Sequence, residues 1–417
     1  MTSPSDSTVL FERRGALQLV TLNKPKALNA IDLAMVRQLS AALHSWTVPA
    51  PAHAHAHAHA PGSPGSPGSP SAVVLRGAGG RAFCAGGDIK RVHALRAPRG
   101  VADEQDAFFR EEYLLDLALA RHSQRVPHVA LWDGAVMGGG LGISQAASFR
   151  VATERTVLAM PETAIGFFPD VGGSYFLTRL APGPEFGAFL ALTGARLTGA
   201  DVVHAGLATH FVRAEAMPAL VQALEGADLP PASSVSTGGG SPAHLAVRAV
   251  IERFAERPPA FSFSAAALDA VRRCFDLSLT AEQILAACDA ELPHAPTTAS
   301  AGGAALPADP LAGIATTLRK MSPTSVKVSL EQLRRGRGLS LEDALAMELR
   351  IARRCLEGAD FYEGVRALLV DKTGAPKWAP AQLEGVSDES VSSYFALLDD
   401  AEELLPASRE RPWQCCF

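Results

Sequence analysis

The chain has 417 residues, of which 47% are hydrophobic and 19% are charged, and its net charge is −5. This composition predicts one large or two ordinary globular domains with a substantial core, and the negative charge argues against nucleic acid as a partner. No apolar run reaches the roughly 18 residues that cross a bilayer, so no membrane partner is expected. The first residues lack a secretory signal, and Asp6 and Glu12 make them a poor organelle presequence.

Strand and helix signals alternate in the first half of the chain. Residues 8–25 alternate polar and apolar side chains around a glycine, which predicts a β-hairpin. Apolar residues at helical spacing predict a helix over 31–46, with Asn29 as its N-cap. A short buried strand is predicted at 72–79. Residues 128–153 indicate a strand, a glycine-rich turn, a helix and a second strand.

The pattern then becomes helical. A helix and strand over 201–213 give the last strand signal, and the helical pieces that follow include 263–276, 280–291, 311–335 and 340–357. The chain is therefore predicted to be an α/β core of residues 1–215 followed by a helical segment over 216–310, a C-terminal helical region over 311–405 and a tail at 406–417.

Three low-complexity stretches interrupt these elements, at 48–71, 227–242 and 293–310. The Ala-His and Gly-Ser-Pro repeats of the first cannot bury an apolar face, which predicts a disordered loop. The other two are predicted to be surface insertions. The first stretch also carries four alternating histidines, but nothing fixes the geometry that a metal ion needs, so no metal site is predicted.

Two glycine clusters each follow a predicted strand, "FCAGGD" at 83–88 and "MGGGLG" at 137–142. Glycine lets backbone N–H groups approach a ligand closely, and two such loops facing each other would offer two donors to one oxygen, as in an oxyanion hole. Singly, each cluster favours a structural turn. Neither has the G-x-G-x-x-G spacing of a dinucleotide site.

Two acids, Glu162 and Asp170, stand in the nearly uncharged run "AMPETAIGFFPDVGGSYF". Pro-Glu is an ordinary helix N-terminus, and Pro-Asp before Val-Gly-Gly is an ordinary turn, so spacing alone favours a structural role for each. The order of two glycine loops followed by two acids favours an active site instead.

The motifs "FCAGGD", "MGGGLG" and "MPETAIGFFPDVGGSYFLTRL", in that order, resemble the enoyl-CoA hydratase/isomerase (crotonase) superfamily. The stretches "LNKPKALNAI" and "GADFYEGVRALL" extend the resemblance toward both ends of the chain. It implies a crotonase-like spiral of β-β-α units in the α/β core, and an oxyanion hole in which the amides of Gly87 and Gly139 donate to an acyl-CoA thioester carbonyl.

The side chains at particular positions indicate which reaction of the superfamily the resemblance implies. Hydratases use two glutamates; Glu162 matches one, but Gly142 stands at the position of the other. Eight residues after Glu162, where hydratases have glycine, this chain has Asp170. This Glu-Asp spacing resembles two subgroups, the 3-hydroxyisobutyryl-CoA hydrolases and the dienoyl-CoA isomerases. The hydrolases are favoured by "FFREEYLLD", by "PDVGG" and by two C-terminal stretches over 321–336 and 370–383. Hydration of a double bond is not expected.

The resemblance implies Glu162 and Asp170 as catalytic residues, and Glu112, Gly139, Glu162 and Asp170 as substrate-binding residues. Glu162 would activate a water or attack the carbonyl itself, and the sequence leaves both routes open. Asp170 would bind the 3-hydroxyl or handle the proton of the leaving thiolate, and Glu112 would place the polar end of the acyl group. The alternatives are an isomerase of the same superfamily and a non-catalytic CoA-ester-binding protein.

No metal or redox cofactor is expected, because CoA enters as part of the substrate. Lys24 and Lys26 match a region that contacts CoA in the superfamily, and a homo-oligomer is implied. Valine breakdown by the hydrolase subgroup implies mitochondria, with the cytoplasm as the alternative. The six cysteines show no framework spacing and are predicted to be free thiols, with Cys84 a small packing residue.

Overall fold

The computed structural model describes five stretches of the chain, residues 7–47, 69–96, 104–231, 241–293 and 309–405. Three sequence predictions fall wholly or mostly outside them. These are the first low-complexity loop with its four histidines, the greater part of the two surface insertions, and the tail with Cys415 and Cys416. The structure therefore bears on the α/β core and on the helical pieces.

Ten strands in these stretches form two sheets. They are β1 (Val9–Arg14), β2 (Leu17–Leu22), β3 (Ala72–Gly77), β4 (Ala82–Cys84), β5 (His128–Trp132), β6 (Ala135–Met137), β7 (Phe149–Ala152), β8 (Val157–Ala159), β9 (Leu197–Thr198) and β10 (His210–Phe211). One sheet has the order β1-β2-β3-β5-β7-β10 and the other β4-β6-β8-β9. Pairing is parallel except between β1 and β2 and between β8 and β9.

Helices surround the sheets and make up the described chain after β10. The first half contains α1 (Leu33–Thr47), α2 (Ile89–Ala94), α3 (Glu104–Ser123), α4 (Gly139–Gln145), α5 (Gly173–Phe176), α6 (Pro184–Thr193) and α7 (Ala200–His204). The second half contains α8 (Met217–Glu225), α9 (Pro242–Glu252), α10 (Ala265–Cys274), α11 (Ala281–Glu291), α12 (Ile314–Leu318), α13 (Pro323–Gly336), α14 (Leu341–Glu357), α15 (Asp360–Val365) and α16 (Asp388–Ser393). Among the described residues, no helix has the length and apolar character of a membrane span.

The core repeats one pattern three times. Each repeat places a strand in the six-stranded sheet, a second strand in the four-stranded sheet, and then a helix. Thus α2 follows β3 and β4, α4 follows β5 and β6, and α5 follows β7 and β8. This is the expected spiral of β-β-α units, and with the helical C-terminal region it confirms the predicted fold class.

The parallel strands are buried on both faces, which explains their near-continuous apolar sequence. In the register of the sheet, Leu19 lies beside Val74 and Val74 beside Val129. This row packs under α8 and α9, through side chains that include Leu220 and Ile251. The other face joins the main core beneath α1 and α3, so the interior of the molecule is divided by the larger sheet.

The predicted N-cap of the first helix is wrong. Asn29 instead donates from its side chain to the carbonyls of Ala78 (3.0 Å) and Ala82 (2.9 Å), and so fastens one loop to another. The cap is Asp32, whose Oδ1 accepts a hydrogen bond from the Met35 amide at 2.9 Å. Asparagine is a good cap in isolation, but here tertiary partners use its side chain.

The helical piece predicted over 311–335 is two helices, α12 and α13. Pro323 stands at the first position of α13, where its missing N–H and fixed φ are tolerated, and it cannot continue a helix that precedes it. Ser322 caps the new helix by accepting from the Ser325 amide at 3.1 Å.

Two histidines are buried together between α3 and β5. His122 Nδ1 lies 2.7 Å from His128 Nε2, and neither ring is more than 6% exposed. Burial lowers the pKa of His122 to about 4 and moves the pKa of His128 well below its usual value. The pair is therefore neutral in the folded protein at pH values where an unfolded histidine, with a pKa near 6.5, binds a proton.

We expect this pair to make the protein less stable as the pH falls from 7 toward 4. The unfolded state takes up protons that the folded state excludes, so stability is present above about pH 6.5 and is lost below it, by about 3 kcal/mol for His122. Denaturant titrations across this range should show a shallower pH slope in His122→Asn/His128→Gln, whose side chains stay neutral. Equal slopes for variant and wild type would contradict this assignment.

Candidate active site

A cavity of about 530 Å³ lies where the two glycine loops, α3 and the segment after β8 meet. Its ionisable side chains are those of Lys26, Asp88, Lys90, Glu112, Glu162 and Asp170. Its apolar walls include Leu28, Ile89, Phe108, Phe109, Met137, Ile165, Phe167, Leu368 and Leu369. Every residue predicted for catalysis, for the oxyanion hole or for binding the acyl group lines this one cavity.

The two glycine loops lie side by side in the lining of the cavity. Gly87 follows β4 and Gly139 opens α4, and a Cβ atom built on Gly139 would lie 3.4 Å from the Gly87 nitrogen. Gly139 is the first residue of its helix, so its N–H lies outside the helical ladder. Within the described chain the Gly87 N–H donates to no backbone carbonyl. Two free N–H donors thus lie close together in the lining of the cavity, and an oxyanion hole needs such a pair.

Glu162 begins a short 3-10 helix, Glu162–Ile165, directly after Pro161. Its side chain is 7% exposed and reaches the second glycine loop, since a Cβ atom at Gly138 would lie 2.9 Å from Glu162 Oε1. The other oxygen, Oε2, is buried without a hydrogen-bond partner among the described residues. A buried carboxyl oxygen without a partner is costly unless it serves a ligand or carries a proton.

Asp170 ends the same loop and is 5% exposed. Its Oδ2 accepts a hydrogen bond of 2.8 Å from the hydroxyl of Tyr113, which is fully buried on α3. Burial raises the pKa of Asp170 to about 7, and the Tyr113 hydrogen bond opposes that rise because it favours the anion.

Helix α3 also carries Glu112, which is 1% exposed. Its Oε1 is buried without a partner in the described chain and lies beside the Cα of Gly139. The ring of Phe109, one turn earlier, stacks on Phe167 with 5.2 Å between ring centroids, which fixes α3 against the loop of Glu162 and Asp170. Glu112 therefore lies against the second glycine loop, next to the Gly139 backbone.

Gly142, at the position of the absent hydratase glutamate, packs against a fourth buried acid. A Cβ atom there would lie 2.6 Å from Asp116 Oδ2 and 2.7 Å from the Cβ of Val171. Asp116 lies one turn beyond Glu112 and is 3% exposed, and neither of its oxygens has a partner in the part of the chain that the structure describes. A glutamate at position 142 does not fit this arrangement of α3 and α4.

We expect Gly142→Ala to lower the free energy of unfolding by about 1–3 kcal/mol, the usual cost of overpacking a core. The methyl group must displace Val171, the neighbour of Asp170, so the rate of catalysis should fall as well. Chemical denaturation and steady-state kinetics measure the two effects. Gly338→Ala, where a Cβ atom meets no atom within 4 Å, is the matched control, and equal behaviour of the two variants would refute the crowding at position 142.

The turn after Asp170 is held by the C-terminal helical region. Glu348 of α14 is fully buried and accepts hydrogen bonds from the Gly172 amide (2.7 Å), the Ser174 amide (2.8 Å) and the Ser174 hydroxyl (2.6 Å). Gln332 of α13 donates to the carbonyl of Pro169 at 2.6 Å. The helices that follow the core therefore fix the conformation of a loop in its active site.

The buried acids of the site differ in their tendency to ionise. Burial, reinforced by the charge of Asp170, raises the pKa values of Glu112 and Glu162 well above the usual carboxyl range. Burial does the same for Asp116, with Glu112 as the next cause. Asp170, with a pKa near 7, is therefore the group of these four that ionises first. With this pKa, Asp170 is about half ionised at pH 7.

The two lysines expected near CoA differ in their surroundings. Lys26 lines the cavity, whereas Lys24 does not and instead forms ion pairs with Asp32 (2.8 Å) and Asp88 (3.2 Å). Lys90, just after the first glycine loop, lines the cavity as well. Cys84 is fully buried and its pKa is raised to about 12 by burial, so its thiol stays protonated and packs beneath the first loop.

Four residues of this site were not singled out by the sequence: Lys90, Tyr113, Asp116 and Glu348. Lys90 follows the motif "FCAGGD" by two positions, and Tyr113 and Asp116 lie inside "FFREEYLLD", so the motifs held a signal for these three. Glu348 sits in an ordinary amphipathic helix 178 positions beyond Asp170, and no local pattern points to it.

The site combines two free backbone amides, buried acids and a largely apolar cavity. Enzymes that stabilise negative charge on a carbonyl oxygen use backbone donors of this kind. A family model described as enoyl-CoA hydratase/isomerase matches residues 67–395. The chain belongs to the enoyl-CoA hydratase/isomerase family.

Two relatives in other organisms are similar to this chain over nearly its whole length. The chain is 40% identical over 399 residues to a Mus musculus protein named 3-hydroxyisobutyryl-CoA hydrolase, mitochondrial, with 94% of this chain and 90% of the relative covered. It is 38% identical over 400 residues to the Homo sapiens protein of the same name, with the same coverage of both chains.

Two solved structures share the fold over nearly the whole chain. A carnitinyl-CoA dehydratase from Mycobacterium thermoresistibile gives a TM-score of 0.76 at 33% identity, covering 97% of this chain and 100% of its own. An enoyl-CoA hydratase from Rhodobacter sphaeroides 2.4.1 gives 0.70 at 33% identity, covering 95% and 99%. The fold is thus shared by proteins named for different reactions, and the side chains of the site must decide the chemistry.

Proposed function

We propose that this protein hydrolyses the thioester of 3-hydroxyisobutyryl-CoA to the free acid and CoA, as a step in valine breakdown. The observation that carries the proposal is the meeting of Glu162 and Asp170 beside the amides of Gly87 and Gly139, at a site where position 142 has no room for a second glutamate. The names of the Mus musculus and Homo sapiens relatives support the same substrate.

In this mechanism the thioester oxygen lies between the Gly87 and Gly139 amides. As water or a carboxylate adds to the carbonyl carbon, the oxygen becomes an anion that both N–H groups stabilise. One such donor is typically worth about 2.7–4 kcal/mol of barrier. The apolar walls of the cavity exclude water and strengthen both hydrogen bonds.

Glu162 performs the attack, directly or through a water molecule, and needs to lose its proton first. Asp170 holds the negative charge of the free site and accepts that proton, so the charge moves from Asp170 to Glu162 with no net change. When the carbon–sulfur bond breaks, the charge passes to the CoA thiolate, and Asp170 returns the proton to the sulfur. On the direct route this leaves an anhydride between Glu162 and the acyl group, which a water molecule then cleaves to the free acid and the protonated Glu162. Each step keeps a single negative charge inside a buried site, which avoids the cost of a second.

Glu112 binds the polar end of the acyl group, because a protonated carboxyl beside the Gly139 Cα offers both a donor and an acceptor to a 3-hydroxyl. A pocket that binds this hydroxyl discriminates only weakly against a substrate that lacks one methyl group. The difference in binding free energy is typically about 1–3 kcal/mol. We therefore include 3-hydroxypropionyl-CoA among the substrates.

CoA brings phosphate groups, and Lys26 and Lys90 are the lysines at the cavity that can meet them. Lys24, which the sequence favoured equally, acts through its ion pairs with Asp32 and Asp88 to hold the first glycine loop. The reaction uses water, carboxyl groups and backbone amides, so it needs no metal or redox cofactor, and CoA is part of the substrate.

The test is to supply (S)-3-hydroxyisobutyryl-CoA and to follow release of free thiol with a thiol reagent. Steady release confirms the hydrolase. A dienoyl-CoA ester offered in parallel distinguishes the isomerase, since a shift of its diene absorbance without thiol release would refute hydrolysis. Tight binding of CoA esters with neither reaction would support the non-catalytic alternative.

The relatives compared above carry the word mitochondrial in their names. We place this protein in mitochondria on that ground, with the cytoplasm as the alternative. Fractionation of cells that express the full chain with a C-terminal tag distinguishes the two compartments.

A homo-oligomer is the expected assembly, from the family resemblance. Light scattering on the purified chain measures its mass directly against the 43.7 kDa of one copy.

A further inference from the structure

Asp170 differs from its neighbours in having a side-chain donor. The hydroxyl of Tyr113 lies 2.8 Å from Asp170 Oδ2, and both residues are buried. By contrast, Glu112 Oε1, Glu162 Oε2 and both oxygens of Asp116 have no partner in the described chain. Asp170 therefore differs from the three other buried acids in accepting a hydrogen bond from a side chain.

No positively charged side chain among the described residues forms an ion pair with Asp170, although Lys26 and Lys90 line the same cavity. The ionisable groups that face Asp170 are Tyr113, Glu112 and Asp116 from α3, Glu162 from its own loop, and Glu348 and Cys355 from α14. All of them are neutral or negative. A hydroxyl that donates to a carboxylate stabilises the anion, and this effect is large for a buried carboxylate that has no ion-pair partner.

We propose that Tyr113 is a positioning residue that keeps the resting negative charge of the site on Asp170 rather than on Glu162 or Glu112. This inference rests on the proposed hydrolysis. It explains how two buried acids in one loop take different roles: Asp170 enters the reaction as the base that receives the proton of Glu162, and Glu162 enters it as the acid that becomes the attacking group.

The ring of Tyr113 is fixed well enough for this task. Phe109 lies one turn before it on α3, with 6.2 Å between the two ring centroids, and Phe109 in turn stacks on Phe167. The amino-terminal end of α3 is anchored by Arg353 of α14, whose guanidinium meets both oxygens of Asp106. These contacts hold the Tyr113 hydroxyl within hydrogen-bond distance of Asp170 Oδ2 before the substrate binds.

The test is the pH profile of kcat/KM for 3-hydroxyisobutyryl-CoA in Tyr113→Phe, which removes one oxygen atom. Loss of the donor makes Asp170 harder to ionise, so the acid limb should move about 1–2 units to higher pH. At pH 6 this is a loss of about 10- to 100-fold, which should diminish as the pH approaches 9. Tyr362→Phe, at another buried tyrosine whose hydroxyl meets Gln105 at 3.4 Å, should keep the wild-type profile.

A purely structural role for Tyr113 would lower kcat/KM by the same factor at every pH, and that result would overturn the inference. A double-mutant cycle with Asp170→Asn makes the test independent of small folding defects. If Tyr113 acts through Asp170, adding Tyr113→Phe to Asp170→Asn should change the residual rate by less than about twofold. Additive losses would overturn the inference.

The wild-type rate distinguishes a failure of the inference about Tyr113 from a failure of the proposed function. If the wild type releases thiol but the profile of Tyr113→Phe matches it, the inference about Tyr113 fails and the proposed hydrolysis stands. If the wild type releases no thiol from this substrate, the proposed function fails and the inference fails with it.

Discussion

Glu162→Gln is expected to lower the rate of thioester hydrolysis by about 10³-fold or more, while CoA esters still bind. An amide has the shape of a protonated carboxyl, so the contact with the second glycine loop remains. It cannot release a proton, however, and so can neither attack the carbonyl nor activate water. The residual rate would come from the two backbone amides alone.

The measurement is thiol release under saturating substrate, together with the affinity for a CoA ester. Glu384→Gln, at an exposed glutamate that does not line the cavity, is the matched control and should keep the wild-type rate. Thermal denaturation should show that both variants fold. A Glu162→Gln protein with more than a tenth of the wild-type rate would remove Glu162 from the mechanism.

Glu348→Ala should cost about 3–5 kcal/mol of unfolding free energy and most of the activity. The change removes the acceptor of the Gly172 and Ser174 amides and leaves both buried donors without a partner. Each such group costs about 1–3 kcal/mol. This loss is a large part of the total stability of an ordinary domain, which is about 5–15 kcal/mol. Activity should fall as well, because the two amides belong to the turn that follows Asp170.

Urea denaturation and steady-state kinetics measure the two losses of Glu348→Ala. Glu348→Gln should lose less, because burial raises the pKa of Glu348 to about 8 and the amide resembles its protonated form. Glu357→Ala, an exposed position on the same helix, should be nearly neutral. If Glu348→Ala were as stable as Glu357→Ala, the turn would not depend on α14.

The sequence predicted the parts of the site that local patterns encode. The two glycine loops and the acids Glu162 and Asp170 stand in short motifs, and the strands before the loops are continuous apolar runs, so both the fold class and the location of the cavity followed from the sequence. The hairpin of β1 and β2 followed in the same way from alternation around one glycine.

Contacts between distant segments could not be predicted in this way. Asn29 has the right type and place for a helix cap, but its partners at positions 78 and 82 are known only once the loops meet. Lys24 and Lys26 look alike in sequence, and the ion pair of Lys24 with Asp88, 64 positions away, distinguishes them. Glu348 reaches the active site by helix packing, which no periodicity of a single sequence reveals.

The spiral also separates the two edges of its sheets. The glycine loops leave the carboxyl ends of β4 and β6, whereas the chain between α1 and β3, which includes the Ala-His repeats, enters at the amino end of β3. Neither Thr47 nor Ser69, the described residues at the two ends of this connection, lines the cavity. A fluorescent reporter attached at either of these two residues would therefore leave the lining of the cavity unchanged.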